Sequence, residues 1–153
     1  MTFLTLVVAL VVALDQATKA LVLVYFPLHT VKEIIPGFFN LVHARNTGAA
    51  FSILAGAPSF WRQAFFVAVT ILIVVMILLA YRKLKSDDVW NRWGYALIVG
   101  GALGNLVDRV RLGSVVDFLD VYVGAYHWPA FNVADSAISV GAVMLLISLI
   151  RGK

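Results

Sequence analysis

GALGNLVDRVRLGSVVDF, residues 101–118, decides how this chain is read. The run leading into it, Tyr95 to Leu103, is apolar enough for a lipid bilayer, yet Asp108, Arg109, Arg111 and Asp117 follow at once. Only 13% of the 153 residues are charged, so four charges in one short stretch need a reason. The chain is 62% hydrophobic with a mean hydropathy of +0.95. Soluble domains are nearer half apolar and about a quarter charged. The composition therefore implies an integral membrane protein, and the length implies one domain spanning 1–153.

A membrane-crossing helix needs roughly 20 mostly apolar residues. Four segments qualify as expectations: about 3–26, 64–81, 94–110 and 133–150. The first lacks a basic leader, and its apolar run resumes beyond Lys19, so it reads as a retained helix rather than a signal peptide. The second carries no charge. The third ends in the opening stretch. Arg82, Lys83, Lys85 and Arg92 crowd the link between the second and third helices, and Arg151 and Lys153 end the chain. The positive-inside rule then puts that link and both termini in the cytoplasm, with loops 27–63 and 111–132 facing outward. Trp61, Tyr122, Tyr126 and Trp128 fall where an outer aromatic belt would lie. Loop 27–63 is rich in β-branched and aromatic residues broken by Pro36-Gly37 and Thr47-Gly48, which predicts short strands forming a small sheet on the outer membrane surface. Leu112 to Pro129, with Gly113 and Gly124 as hinge points, is expected to act as a lid.

Ionisable groups inside spanning helices are costly and mark sites worth testing. Asp15 and Lys19 are four apart and share a helix face, which suits an internal ion pair or a binding role for Asp15. Asn105, Asp108 and Arg109 point to one side of the third helix. Arg109 could hold a carboxylate or a carbonyl in a fixed orientation. Asn132 and Asp135 are three apart at the head of the fourth helix, the pattern of a capping box. Asp117 sits among Val115, Val116 and Phe118 at the outer boundary, where Asp135 also falls. Two carboxylates in one low-dielectric site share a proton, which makes one a base and the other an acid. Taken alone, the residues favour polar bonding between helices, then an ion relay through Asp15, Lys19, Asp108 and Asp135, then acid–base proteolysis. The chain has no cysteine and no HExxH zinc pattern, and His29, His43 and His127 lack ligand spacing. No metal, cofactor or nucleic-acid partner is expected.

Five blocks change that ranking: DQATK at 15–19, RNTGAAFS at 45–52, GNLVDR at 104–109, VVDF at 115–118 and FNVADS at 131–136. In this order the chain resembles the signal peptidase II family, the lipoprotein signal peptidases of bacteria. The resemblance implies a multi-pass aspartic endopeptidase of the bacterial cytoplasmic (inner) membrane, with its active site at the periplasmic or extracellular face. It implies substrates that are prolipoproteins with a lipid-modified cysteine, contact with membrane lipids, and inhibition by globomycin-type compounds. It places the catalytic aspartates at Asp117 and Asp135. Supporting or substrate-binding positions fall at Asp15, Asn46, Asn105, Arg109 and Asn132, while Lys19 and Asp108 are expected to be structural. A monomer is expected.

Overall fold

The computed structural model describes residues 1–48 and 59–152. Four helices, α1 (Thr2–Tyr25), α2 (Ser59–Tyr81), α3 (Val89–Leu112) and α4 (Val133–Ile150), accompany four strands. The strands are β1 (Val31–Ile35), β2 (Phe39–Asn46), β3 (Val115–Val123) and β4 (Tyr126–His127), and they form one antiparallel sheet in chain order. Three helical stretches are long and apolar enough to cross a membrane: Thr2–Tyr25, Phe60–Tyr81 and Val133–Ile150.

The helix α3 departs from the expectation of a fourth apolar span. Its 24 residues would reach about 36 Å, enough for a bilayer core. Its composition is too polar, because Asn91, Asn105 and Asp108 are buried in it. The reason lies in its position: α3 packs against α1, α2 and α4, so protein rather than lipid surrounds much of it. The helix also begins five residues earlier than the apolar run suggested, where Asp88 accepts a hydrogen bond from the Asn91 backbone N–H (3.1 Å). α2 likewise starts earlier than 64 and takes in Arg62.

Burial along α1 follows the helical period: Leu4, Val7, Val11, Asp15, Lys19 and Val22 are buried. Leu6, Leu10, Leu14 and Leu21 face outward and are more than half exposed. α1 stops before Pro27, and Phe26 is extended (φ −120°), as the residue before a proline prefers. Close approach of the helices depends on glycine. A Cβ on Gly100 would meet Val11 Cβ at 2.8 Å, and one on Gly104 would meet Asp15 Oδ2 at 2.7 Å, so the Gly100–Gly104 pair faces α1. Gly101 faces the other way, against the Ala134 carbonyl oxygen of α4. Gly101→Ala should therefore push α4 off α3 and cost about 1–3 kcal/mol. Thermal unfolding in detergent checks this, and an unchanged Tm would show that the backbones are not in forced contact.

Strand β3 leaves α3 directly. Gly113 closes the helix in the left-handed region (φ 71°), and Gly124 makes the β3–β4 turn (φ 61°). The segment Leu112–Pro129, expected as a lid, is thus a structural strand pair: β3 bonds to β2 along Phe39–Asn46 and to β4. Gly113 serves as the helix cap and Gly124 as the turn. One extra residue in β2 between Leu41 and Ala44 makes a bulge opposite Phe118. The expected strands in loop 27–63 are present up to Asn46; its part at 49–58 lies outside the described residues.

Candidate active site

The polar centre starts on α1. The Lys19 ammonium lies 2.8 Å from Asp15 Oδ2 and 3.0 Å from Asp108 Oδ2, and donates to Asn105 Oδ1 at 3.0 Å. Lys19 is 2% exposed and Asp15 0%, so both charges have left solvent. Burial of this kind is tolerated when partners compensate the charges, and here each carboxylate oxygen has at least one. Asp15 Oδ1 accepts the Ala134 N–H at the head of α4 (2.9 Å). Asp108 accepts the Val116 N–H of β3 (3.0 Å) and the Gln16 side-chain amide (2.9 Å). One lysine with two carboxylates thereby joins α1, α3, β3 and α4. Polar bonding between helices, the bland reading of these residues, describes this triad well.

A short return segment brings the next pair of acids together. Phe131 bridges back to Leu119 of β3, with N–H···O bonds of 2.8 and 3.0 Å, which sets the start of α4 beside Asp117. Asn132 caps α4: its side-chain oxygen accepts the Asp135 N–H (2.9 Å), and its own N–H donates to Asp135 Oδ2 (3.3 Å). Its amide nitrogen meanwhile donates to Asp117 Oδ1 (2.8 Å), with Asn105 Oδ1 and the Val116 carbonyl each at 3.2 Å. Asn105 donates to Asp135 Oδ1 (2.7 Å). Asn132 therefore caps α4 and at the same time touches both carboxylates.

Asn46, at the end of β2, also hydrogen-bonds Asp117 and accepts the Gly48 N–H (3.1 Å). Asp117 is 3% exposed. Burial, and then the charge of Asp135, push its carboxyl up to about 7 against the hydrogen bonds from Asn46 and Asn132 and the pull of Lys19.

Arg109 stands apart from this cluster. Its guanidinium lies over the Phe66 ring of α2 (5.3 Å), and among the described residues it makes no ion pair. Its carbonyl accepts the Gln63 side-chain amide (2.6 Å), which ties α2 to the end of α3. α2 packs on α3, and between α2 and α4 lies a cleft of about 270 Å³. Arg109, Asn105 and Asp135 form its polar end, while Ile73, Ile98 and Ile138 line the rest. One end of the cleft is thus charged and the remainder suits an apolar chain.

Of the residues marked in the sequence, Asp15, Lys19, Asn46, Asn105, Asp108, Asn132, Asp117 and Asp135 meet in one hydrogen-bonded cluster, and Arg109 borders it. Gln16 was not marked, although it adjoins Asp15 and bonds Asp108; a neutral amide in a greasy helix was the available signal. Gln63 and Phe66 were also missed, since their role exists only once α2 stands beside α3. Asp120 pairs with His127 (2.9 Å) and Asn40 (2.8 Å) on the sheet, and it takes no part in the cluster. Arg111 is exposed at the end of α3 beside an apolar groove, as an interfacial cation would be.

The fold and the cluster define a polytopic helical membrane protein with two carboxylates gathered on one asparagine at the junction of bundle and sheet. The profile of the family described as Signal peptidase (SPase) II matches residues 7–151, and the chain belongs to that family of aspartic endopeptidases. The chain is 52% identical over 145 residues to the lipoprotein signal peptidase of Syntrophotalea carbinolica, covering 95% of this chain and 89% of the other. It is 50% identical over 150 residues to that of Desulforapulum autotrophicum, covering 98% and 93%. Two solved structures, each described as a bacterial membrane enzyme determined by the in meso method, superpose with TM-scores of 0.87 and 0.88 at 34% and 33% identity. They cover 99% and 100% of this chain, and 89% and 96% of their own.

Proposed function

We propose that this protein removes signal peptides from diacylglyceryl-modified prolipoproteins, using Asp117 and Asp135 as a proton-sharing dyad that activates water. The observation that carries the reading is the meeting of both carboxylates on Asn132. Burial and the charge of Asp135 push Asp117 up to about 7, so near neutral pH the pair shares one proton, which we place on Asp117. Asp135 then takes a proton from water as the water oxygen attacks the scissile carbonyl carbon, and Asp117 protonates the carbonyl oxygen. In the collapse of that tetrahedral diol, Asp117 recovers its proton from a hydroxyl, the C–N bond breaks, and Asp135 passes its proton to the leaving amine. Asn46, Asn105 and Asn132 hold the carboxylates in place. Asp15, Lys19 and Asp108 hold the helices that carry them.

The cleft between α2 and α4 would take the apolar signal segment, with Arg109 at its polar end binding a backbone carbonyl of the substrate or of a globomycin-type inhibitor. The site then belongs at the outer face of the cytoplasmic membrane. The basic α2–α3 link and both termini would be cytoplasmic, with α3 as a protein-wrapped fourth crossing. The sheet forms the surface cradle, and the enzyme acts as a monomer with no metal or cofactor.

Purified protein in liposomes should cut a diacylglyceryl prolipoprotein just before its modified cysteine and leave the unmodified precursor intact. Equal cleavage of both would remove the lipid requirement. The rate should also fall as pH rises above about 7, because Asp117 then loses the proton it donates. A rate that stays flat from about pH 6 to 9 would exclude Asp117 as the acid.

A further inference from the structure

At the end of the bundle away from Asp117, the chain turns from α2 into α3. A cleft of about 500 Å³ opens there, lined by Arg82, Lys85 and Arg92 with Tyr81, Leu84 and Ser86. Among the described residues none of these three cations is ion-paired to a carboxylate. The nearby Asp88 is occupied at the head of α3, where it accepts from both the backbone and the side chain of Asn91 (3.1 and 2.8 Å).

Arg92 is held in a set orientation. Its Nε donates to Tyr81 Oη (3.1 Å), its Nη1 donates to the Ser86 carbonyl (2.8 Å), and its plane lies over Phe3 and Tyr81 (5.2 and 5.8 Å). Its Nη2 has no protein acceptor among the described residues. A guanidinium fixed in this way, beside two exposed cations, forms a ready acceptor for an oxyanion.

The surroundings select the kind of oxyanion. The apolar run of α2 ends at Tyr81, so the cleft sits at the level where acyl chains give way to headgroups. Between α1 and α2 runs an apolar groove of about 410 Å³, lined by Leu4, Val8, Val74 and Leu78. Basic pockets between membrane helices at this level bind anionic headgroups. We propose that this cleft binds the phosphate of an anionic phospholipid, with the acyl chains lying along the exposed faces of α1 and α2. The proposal rests on the bundle geometry and stands independently of the dyad.

Native mass spectrometry of the whole protein, released from detergent, tests it. Phosphatidylglycerol, phosphatidylcholine with the same acyl chains, and inorganic phosphate are each titrated separately. Phosphatidylglycerol should stay bound under activation that strips phosphatidylcholine. The double variant Arg82→Gln/Lys85→Gln should weaken it roughly 30-fold, since each of the two cations near a headgroup contributes about 1 kcal/mol. Both side chains are exposed, so this variant should keep its Tm. Lys83→Gln, on the same link but outside the cleft, should leave binding unchanged. Equal retention of the two lipids would overturn the proposal, as would an equal loss in Lys83→Gln. Inorganic phosphate binding as tightly as phosphatidylglycerol would overturn the choice of a lipid.

Discussion

Asp117→Asn should abolish cleavage and, at neutral pH, make the protein more stable. Loss of the proton donor should lower the rate by a factor on the order of 10³ or more. The stability change follows from the same burial. Asp117 binds its proton more tightly when folded, near 7, than the ordinary value of 3.8. The folded state therefore loses stability as pH rises from about 4, and the loss is complete above about 7. A shift of that size corresponds to about 4 kcal/mol as an upper figure. Asn carries no charge and escapes the penalty. Its Tm should exceed that of the parent above pH 7 by several degrees, with the gap closing toward pH 4. Asp135→Asn should lose activity as fully, while its amide oxygen can still accept the Asn132 N–H. Retained turnover in either variant would remove the dyad from the mechanism, and a lower Tm for Asp117→Asn at pH 8 would show that the buried carboxylate costs the fold nothing.

The second large effect belongs to Lys19. Lys19→Met fits a long apolar chain into the same channel but leaves Asp15 and Asp108 buried with no cation between them. Removing one partner of a buried ion pair typically costs 3–5 kcal/mol, and here one ammonium serves two carboxylates. The variant should express poorly or unfold many degrees earlier. Adding Asp15→Asn and Asp108→Asn to Lys19→Met should restore much of the Tm, because no buried charge then remains unpaired. Lys19→Met with a parental Tm, measured in the same detergent, would show that the triad is not ionised. The two experiments separate roles: the dyad variant keeps the fold and loses chemistry, whereas the lysine variant loses chemistry through the fold.

Much of this was legible in the chain. The 3–4 spacing of Leu4, Val7, Val11, Asp15, Lys19 and Val22 already puts a charged pair on the buried face of α1, because helical period is a local property. Asn132 three residues before Asp135 announced a cap for the same reason. The hairpin at Pro36-Gly37 was visible from its turn residues. The rest depends on partners distant in sequence. α3 is more polar than the other three helices, and its three neighbours shelter Asn91, Asn105 and Asp108. That β3, within Leu112–Pro129, pairs with β2 is likewise set by a partner about 70 residues away.

The sequence by itself determined the membrane class, the helical segments, the polar positions along them and, through five ordered blocks, the family. Those depend on composition, local period and order, which a linear text carries. Only the tertiary structure decided that Asn132 touches both Asp117 and Asp135, that one lysine serves Asp15 and Asp108, and that Arg109 lies over Phe66 at the mouth of a cleft. Each of these joins residues on different elements, and which elements meet is set by the packing of α3 against its three neighbours through glycine. GALGNLVDRVRLGSVVDF carries its two aspartates because Lys19 and the head of α4 supply partners that lipid cannot, while Arg109 lies over Phe66 and Arg111 is exposed at the helix end.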